Sequence, residues 1–241
     1  MNVTQPIGLT VVYDNNPFKK GLQADWGFSC YIKGLEKSIL FDTGKNGQIL
    51  LSNMGALDIR PEEIDLVVLS HDHLDHTGGL EKLLKKNPKV EVWLPEFFAS
   101  SFKELVRSHG AGVAEVDRFH RICKGAFTTG VISGWIKEQS LILDLPQGLV
   151  LITGCAHPRI TQIISLTQDL LSKDIYLALG GFHLAGYQDE EMGEIISQFR
   201  ARGVKKVGPC HCSGENSRVL FAQEYKEDFV EVGVGKEIAV Q

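Results

Sequence analysis

The sequence lacks the features of a disulfide-stapled, membrane-spanning or nucleic-acid-binding protein. Its five cysteines are an odd number without a C-x-x-C pair, which argues against a disulfide framework and for a reducing compartment. No apolar run approaches the roughly 18 residues of a membrane span, and no basic segment followed by an apolar core opens the chain. The net charge of −5 argues against a general nucleic-acid-binding surface. We therefore expect a cytoplasmic protein without membrane or nucleic-acid partners, whose oligomeric state the sequence leaves open.

The composition is that of an ordinary globular protein, with 43% hydrophobic and 23% charged residues in 241. No linker, low-complexity tract or charge block divides the chain, so we predict a single domain over residues 1–241. The least regular stretch, about 109–138, follows an expected helix and is rich in glycine. It is a candidate substrate loop, and a structural insertion that simply packs is the alternative.

One arrangement recurs along the chain: a short apolar strand, then a turn rich in His, Asp, Gly or Cys, then a stretch with helical spacing. This alternation predicts a layered α/β fold. Strand ends gather at one edge of a sheet in such folds, so we expect the side chains of these turns to converge. The turns carry Asp42, His71, His73, Asp75, His76, His157, His183 and His211.

The segment 71–76 reads H-D-H-L-D-H and is the strongest chemical signal in the sequence. Neutral imidazole and carboxylate are ligands that zinc, manganese and iron(II) prefer. His71 and His73 are two residues apart, so their side chains can point at one cation. Asp75 and His76 follow in the next turn and could serve a second cation beside it. The segment predicts one or two divalent metal ions, zinc first, with manganese and iron as alternatives.

The sequence resembles the metallo-β-lactamase superfamily in four segments that occur in the usual order: LFDTG, LSHDHLDHTGGL, GCAHP and PCHC. With YDNNPF, WGFSCYI and GGFHL added, it resembles the dihydropterin–ribofuranosylaminobenzene-phosphate synthase-like branch. The resemblance implies an αββα sandwich with the metals at one edge of its two sheets. It further implies a first metal on His71, His73 and His157, and a second metal on Asp75, His76 and His211. Asp42 would orient these ligands from outside.

One departure from the superfamily pattern concerns the strand before the last histidine. Many members carry there an aspartate that bridges both metals, whereas this strand ends in Gly-Gly-Phe-His183. His183 could replace the carboxylate as a ligand, contact substrate, or only pack. Loss of the carboxylate should weaken the second metal, so a one-metal site stays open.

Other residues of these turns point to a small, anionic substrate. A helix N-terminus is expected to open at Pro158, beside His157. Arg159 could pair with a phosphate, and a solvated surface charge is the alternative. The substrate candidates are His183, Arg159 and Trp26. Cys155, Cys210 and Cys212 are read as small buried side chains rather than metal ligands.

We interpret the chain as an enzyme, a hydrolase whose metal-activated hydroxide attacks an ester, lactone or phosphoester, with Asp75 and His183 as catalytic candidates. The first alternative is a 7,8-dihydropterin-6-methyl-(β-ribofuranosyl)aminobenzene-phosphate synthase-like transferase with metal-assisted departure of pyrophosphate. The second is a non-catalytic metal-binding module. An aromatic pocket built from Trp26, Phe28 and the segment 119–135 would favour the pterin reaction, and a small polar pocket would favour hydrolysis.

Overall fold

The computed structural model describes residues 6–240, whose strands form two sheets packed face to face. The strands of the described residues are numbered in chain order. The first sheet contains β1 (Ile7–Tyr13), β2 (Ser29–Lys33), β3 (Ile39–Phe41), β4 (Leu66–Val68), β5 (Glu91–Pro95), β6 (Gly112–Val116) and β13 (Glu237–Val240). The second contains β7 (His120–Cys123), β8 (Ala126–Thr128), β9 (Leu141–Leu145), β10 (Gly148–Thr153), β11 (Ile175–Gly181) and β12 (Lys206–Cys210).

Each sheet has an antiparallel part and a parallel part. The first sheet runs β13-β1-β2-β3-β4-β5-β6, and its strands from β3 to β6 are parallel. The second runs β12-β11-β10-β9-β8-β7, and β10, β11 and β12 are parallel. Parallel neighbours end at the same edge of a sheet, which places the loops after β3 and β4, and those after β10, β11 and β12, where their side chains can meet.

Helices cover the outer face of each sheet. In chain order the helices of the described residues are α1 (Gly47–Ala56), α2 (Leu74–Thr77), α3 (Leu80–Leu84), α4 (Ser100–Ser108), α5 (Ile160–Leu171), α6 (Asp189–Ala201) and α7 (Glu215–Tyr225). All of them except the short α2, which carries Asp75 and His76, pack on an outer face. Short 3-10 turns occupy Pro61–Glu63, His211–Ser213 and Lys226–Asp228. In the part of the chain that is described, no helix has the length and apolar character needed to cross a bilayer.

The burial pattern of the strands explains why four layers form. In β10, Val150 and Ile152 point into the apolar layer between the sheets, while Leu149 and Leu151 pack under α5 and α6 on the outer side. Successive side chains of a strand face opposite ways, so a strand that is apolar throughout needs cover on both faces. The same holds for the first sheet, whose outer face packs against α1, α3 and α4. The predicted αββα sandwich is confirmed.

Several elements differ from the sequence-based expectation. The segment 109–138 contains three strands, β6, β7 and β8, and its longest stretch without a strand, residues 129–137, lies beside the turn at 154–158. Helix α5 begins at Ile160 rather than at Pro158, because Arg159 takes a positive φ of 76° that a helix cannot accommodate.

Candidate metal centre

The loops at the shared edge bring the predicted ligands into two adjacent groups. The first consists of His71 and His73, after β4, and His157, after β10, with ring nitrogens within 4.8 Å of one another. Their ring centroids lie 4.6, 4.7 and 5.1 Å apart. His71 Nε2 is buried without a hydrogen-bond partner, which indicates that this nitrogen faces a ligand site. Three imidazoles in this arrangement could hold one divalent cation.

The second group lies directly beside the first. It consists of Asp75 and His76 from α2, His211 after β12, and Cys155 after β10, again with ligand atoms within 4.8 Å of one another. Asp75 Oδ2 is 3.3 Å from His211 Nε2 and 3.6 Å from His76 Nε2. The ring centroids of His71, in the first group, and His76, in the second, are 4.3 Å apart, so the two groups are in direct contact. The chain could hold two cations side by side here.

Four of these histidines are oriented in the same way. In each, Nδ1 meets an acceptor of the protein, which leaves Nε2 turned toward the ligand group with a free lone pair. The pairs are His71 with Ser70 Oγ at 2.9 Å, His76 with Asp42 Oδ2 at 2.7 Å, His157 with Glu138 Oε2 at 2.9 Å and His211 with Asn15 Oδ1 at 3.0 Å. This pattern is typical of metal-binding histidines, whose second nitrogen is held by an outer partner.

Burial keeps the inner rings uncharged. Burial, together with the neighbouring His76, lowers the pKa of His71 to about 3. Burial, together with His211, lowers the pKa of His76 to about 3 as well. Only a neutral imidazole has a lone pair for a metal, so both rings are ready to bind one at neutral pH.

Asp42 lies where the resemblance places it, beneath the ligands and fully buried. Its carboxylate accepts hydrogen bonds from Ser70 N at 2.7 Å, Ser70 Oγ at 2.8 Å and the Nδ1 of His76. Burial raises the pKa of Asp42, while the neighbouring His71 and the hydrogen bonds from Ser70 act to lower it. The backbone of Asp42 has a φ of 55°, a strained conformation that turns the carboxylate inward between two ligand-bearing loops.

Glu138 is a site residue that the sequence analysis missed. Its Oε1 accepts from the backbone N–H groups of Cys155 and Ala156 at 2.9 and 3.0 Å, and its Oε2 accepts from His157 N at 3.0 Å as well as from the ring. Burial acts to raise the pKa of Glu138, but its electrostatic interactions with His71 and His157 and its hydrogen bonds with His157 and Ala156 outweigh it and hold the pKa well below the usual range. One buried carboxylate therefore fixes the whole turn at 155–157. A lone glutamate in an irregular segment gives no sequence signal for this role.

Asp14 and Asn15, within the segment YDNNPF, also support a ligand, a role that the sequence analysis did not assign to them. Asp14 is fully buried and accepts from His211 N at 3.1 Å, while Asn15 holds the ring of His211. Burial raises the pKa of Asp14. The signal for both was the segment YDNNPF, in which consecutive polar residues follow directly on a buried strand.

His183 belongs to neither group of the predicted ligands. Its ring lies 4.7 Å from that of His157, and its ring nitrogen is grouped with the thiols of Cys155 and Cys212. His183 has a φ of 53°, and its Nδ1 is buried without a hydrogen-bond partner. His183 thus lies next to the first group, in contact with His157.

Two exposed tryptophans flank the ligand groups on opposite sides. Trp26, 49% exposed, lies 4.9 Å from the ring of His211. Trp135, 72% exposed, lies 5.1 Å from the ring of His157. Phe28, by contrast, is fully buried between the sheets and cannot line a pocket. Of the expected aromatic pocket, the structure therefore supplies the two indole rings; Phe119 stacks on Phe127 instead.

A cavity of about 460 Å³ opens beside the first group. It is lined by Trp135, Arg159 and His183, and by Glu191 and Glu194 from α6. One arginine faces two glutamates, so the protein side chains alone do not make this cavity strongly attractive to anions.

Comparison with known proteins decides the family. The sequence profile described as the metallo-beta-lactamase superfamily matches residues 27–165, more than half of the chain. The chain belongs to this superfamily. The superfamily match includes all the predicted metal ligands except His211. The imidazole and carboxylate groups of these residues are suited to binding divalent metal ions.

Several known proteins are similar to this chain over nearly its whole length. The 7,8-dihydropterin-6-methyl-4-(β-D-ribofuranosyl)-aminobenzene-5′-phosphate synthase of Methanocaldococcus jannaschii is 28% identical, over 92% of this chain and 91% of the relative. The crystal structure of Tm1679, a metal-dependent hydrolase of the β-lactamase superfamily, is similar with a TM-score of 0.82 and 26% identity, over 97% of this chain and 99% of that one. The metallo-β-lactamase fold protein YhfI from Bacillus subtilis, at 15% identity and a TM-score of 0.74 over 98% and 99% of the two chains, shares the fold.

Proposed function

We propose that the protein is a metal-dependent hydrolase that acts on an ester, lactone or phosphoester. The observation that carries the proposal is the common orientation of four histidines, each with Nδ1 held by the protein and Nε2 turned to one of two adjacent ligand groups. His71, His73 and His157 would hold one divalent metal, and Asp75, His76 and His211 another. When bound, such metals supply a Lewis acid and a water with a pKa near 7.

Asp75 would orient the attacking water. Its carboxylate lies between the two histidine rings of the second group, partly open to solvent. Burial acts to raise the pKa of Asp75, but its hydrogen bond with His211 and its electrostatic interactions with His76 and His211 outweigh it and hold the pKa below the usual range. A carboxylate with a low pKa is a weak base, so it serves better as a hydrogen-bond acceptor for the water than as the final proton acceptor.

His183 and Arg159 would act on the substrate. Both line the cavity beside the first group, His183 at its inner end and Arg159 at the exposed turn before α5. From this position the His183 ring could donate a hydrogen bond to the leaving group, and the guanidinium could pair with a phosphate or carboxylate. Because Glu191 and Glu194 offset Arg159, an anionic group would be attracted chiefly by the metals.

The test combines metal content with a substrate screen. Elemental analysis of the purified protein, before and after reloading with zinc or manganese, should give up to two metals per chain. The loaded protein should hydrolyse bis(p-nitrophenyl) phosphate, p-nitrophenyl acetate or a simple lactone, and His71→Ala should abolish that activity together with metal binding. The opposite result is that the protein binds metal and turns over neither these compounds nor the substrates of the transferase described next. That result would overturn the proposal that it is an enzyme and would favour a metal-binding module.

The second candidate is a transferase that joins a pterin methyl carbon to a ribosylated aminobenzene with departure of pyrophosphate. Two observations favour it: the 28% identity to the synthase over 92% of the chain, and the two exposed indoles that could hold flat rings. Pyrophosphate release from a dihydropterin diphosphate, dependent on the aminobenzene acceptor, would establish this reaction. Trp135→Ala should then raise KM for the pterin while metal content stays unchanged, since the indole lies beside the rings of His157 and His183 and carries no metal ligand itself.

A further inference from the structure

The thiol of Cys155 lies in the second ligand group, although the sequence predicts only a small buried side chain at this position. Its Sγ is 3.2 Å from His76 Nε2 and within 4.8 Å of the ligand atoms of Asp75 and His211. Cys155 itself is 3% exposed. His211 Nε2, in the same group, is buried without a hydrogen-bond partner, which indicates that this nitrogen faces a ligand site.

The backbone holds the thiol in that place. Cys155 N donates to the buried Glu138, and the next residue, Ala156, takes a φ of 62°. On the other side, a Cβ at Gly154 would come within 2.2 Å of Ser70 Oγ, so only glycine lets the turn approach this closely. The turn that delivers His157 to the first group therefore delivers Cys155 to the second, with little freedom to move.

Resting on the proposed metal centre, we infer that Cys155 is the fourth protein ligand of the second metal. It would give the second metal the anionic ligand that an aspartate provides in many members of the superfamily. Binding of the metal would release the thiol proton. His183, the other candidate for that role, has its ring nitrogen grouped with Cys155 and Cys212 rather than with Asp75 and His211.

This assignment makes the two metals chemically unequal. The second metal has four protein ligands, two of them anionic, which is the saturated arrangement of structural zinc sites. The first metal has three neutral imidazoles, which leave a position and its positive charge open to water and substrate. A thiolate also selects zinc over manganese, because manganese prefers oxygen ligands. The second site should therefore take zinc even when manganese is supplied in excess.

Cobalt(II) replaces zinc in such sites and reports sulfur ligation directly, because a thiolate gives cobalt a charge-transfer band in the near ultraviolet. The metal-free protein and its variants Cys155→Ser, Cys212→Ser and Cys123→Ser are titrated with cobalt. Cys123 is the matched control, a buried cysteine on β7 far along the second sheet from the centre. Wild type, Cys212→Ser and Cys123→Ser should show the band as cobalt fills the second ligand group. Cys155→Ser should lose it, keep the visible bands of the cobalt in the first group, and bind cobalt in the second group about tenfold more weakly or worse.

Three results would overturn the inference. If the wild type binds two cobalt ions without the charge-transfer band, the proposed metal centre stands and Cys155 is no ligand. If the band survives in Cys155→Ser and vanishes in Cys212→Ser, the neighbouring thiol is the ligand instead. If no cobalt binds to the wild type while circular dichroism shows a folded protein, the proposed function fails together with the inference.

Discussion

Replacing Glu138 with glutamine should destabilise the metal-free protein and weaken metal binding at once. Each oxygen of this buried carboxylate accepts two N–H groups, Oε1 from Cys155 and Ala156 and Oε2 from the backbone and ring of His157. Whichever way the new amide is placed, its NH₂ faces two donors. A buried donor without an acceptor costs about 1–3 kcal/mol, so the pair should lower the free energy of unfolding by about 2–6 kcal/mol.

The effect on metal binding follows from the proton on the ring. If the amide NH₂ faces His157, the ring can satisfy it only by moving its own proton from Nδ1 to Nε2, the nitrogen turned toward the first ligand group. That tautomer cannot bind a metal, and changes of this kind weaken metal affinity about 10–100-fold.

The assays are urea unfolding of the metal-free protein and zinc titration against a competing chelator. The control is Glu36→Gln, since Glu36 also accepts a backbone N–H, from Lys124 at 3.0 Å, but is exposed. It should change the free energy of unfolding by no more than about 0.5 kcal/mol. If Glu138→Gln behaves like this control in both assays, the carboxylate does not hold the turn and the reasoning is wrong.

Three further outcomes are expected. His73→Ala should abolish tight zinc binding at the first group and His109→Ala should leave it intact, as measured by elemental analysis after dialysis; equal loss in both would refute the ligand assignment. Asp42→Asn should weaken the second zinc about 10–100-fold, because the new amide opposes donors that the carboxylate accepts, and unchanged affinity in a zinc titration would contradict this. Removing zinc with a chelator should lower the thermal midpoint, since zinc at 1,000 times its dissociation constant stabilises by about 4 kcal/mol; equal midpoints in a calorimeter would mean that zinc does not bind the folded state.

Strands such as β1 and β10 could be recognised in the sequence because most of their residues are apolar. The apolar stretches Ile7–Tyr13 and Gly148–Thr153 coincide with β1 and β10. The strands β6, β7 and β8 were missed, because they are short, interspersed with glycine and charged residues, and paired in ways that only the folded sheet reveals. A segment such as His120–Cys123 has no burial pattern until its partner strand is in place.

Of the candidate site, the side chains that follow strands could be predicted, including the supporting residue Asp42, whereas the supporting residues Glu138 and Asp14 could not. His71, His73 and Asp75 stand out because metal-ligand types crowd a few positions. Glu138 and Asp14 are single acidic residues, distant in sequence from the ligands they hold, and only the tertiary fold brings them together. The roles of the side chains as ligands, catalytic groups and substrate contacts stay predictions.

The two indoles beside the ligand groups give the protein a built-in optical probe. The chain has three tryptophans. Trp26 and Trp135 rest on histidines of different groups, whereas Trp93, on β5, donates to Glu91 at 2.8 Å and lies outside both. Their fluorescence should therefore change as the adjacent imidazoles gain metals, with Trp93 as a constant background. Phenylalanine variants at the two outer positions would assign each signal to one side of the centre, so the order in which the two groups fill could be followed in unlabelled protein.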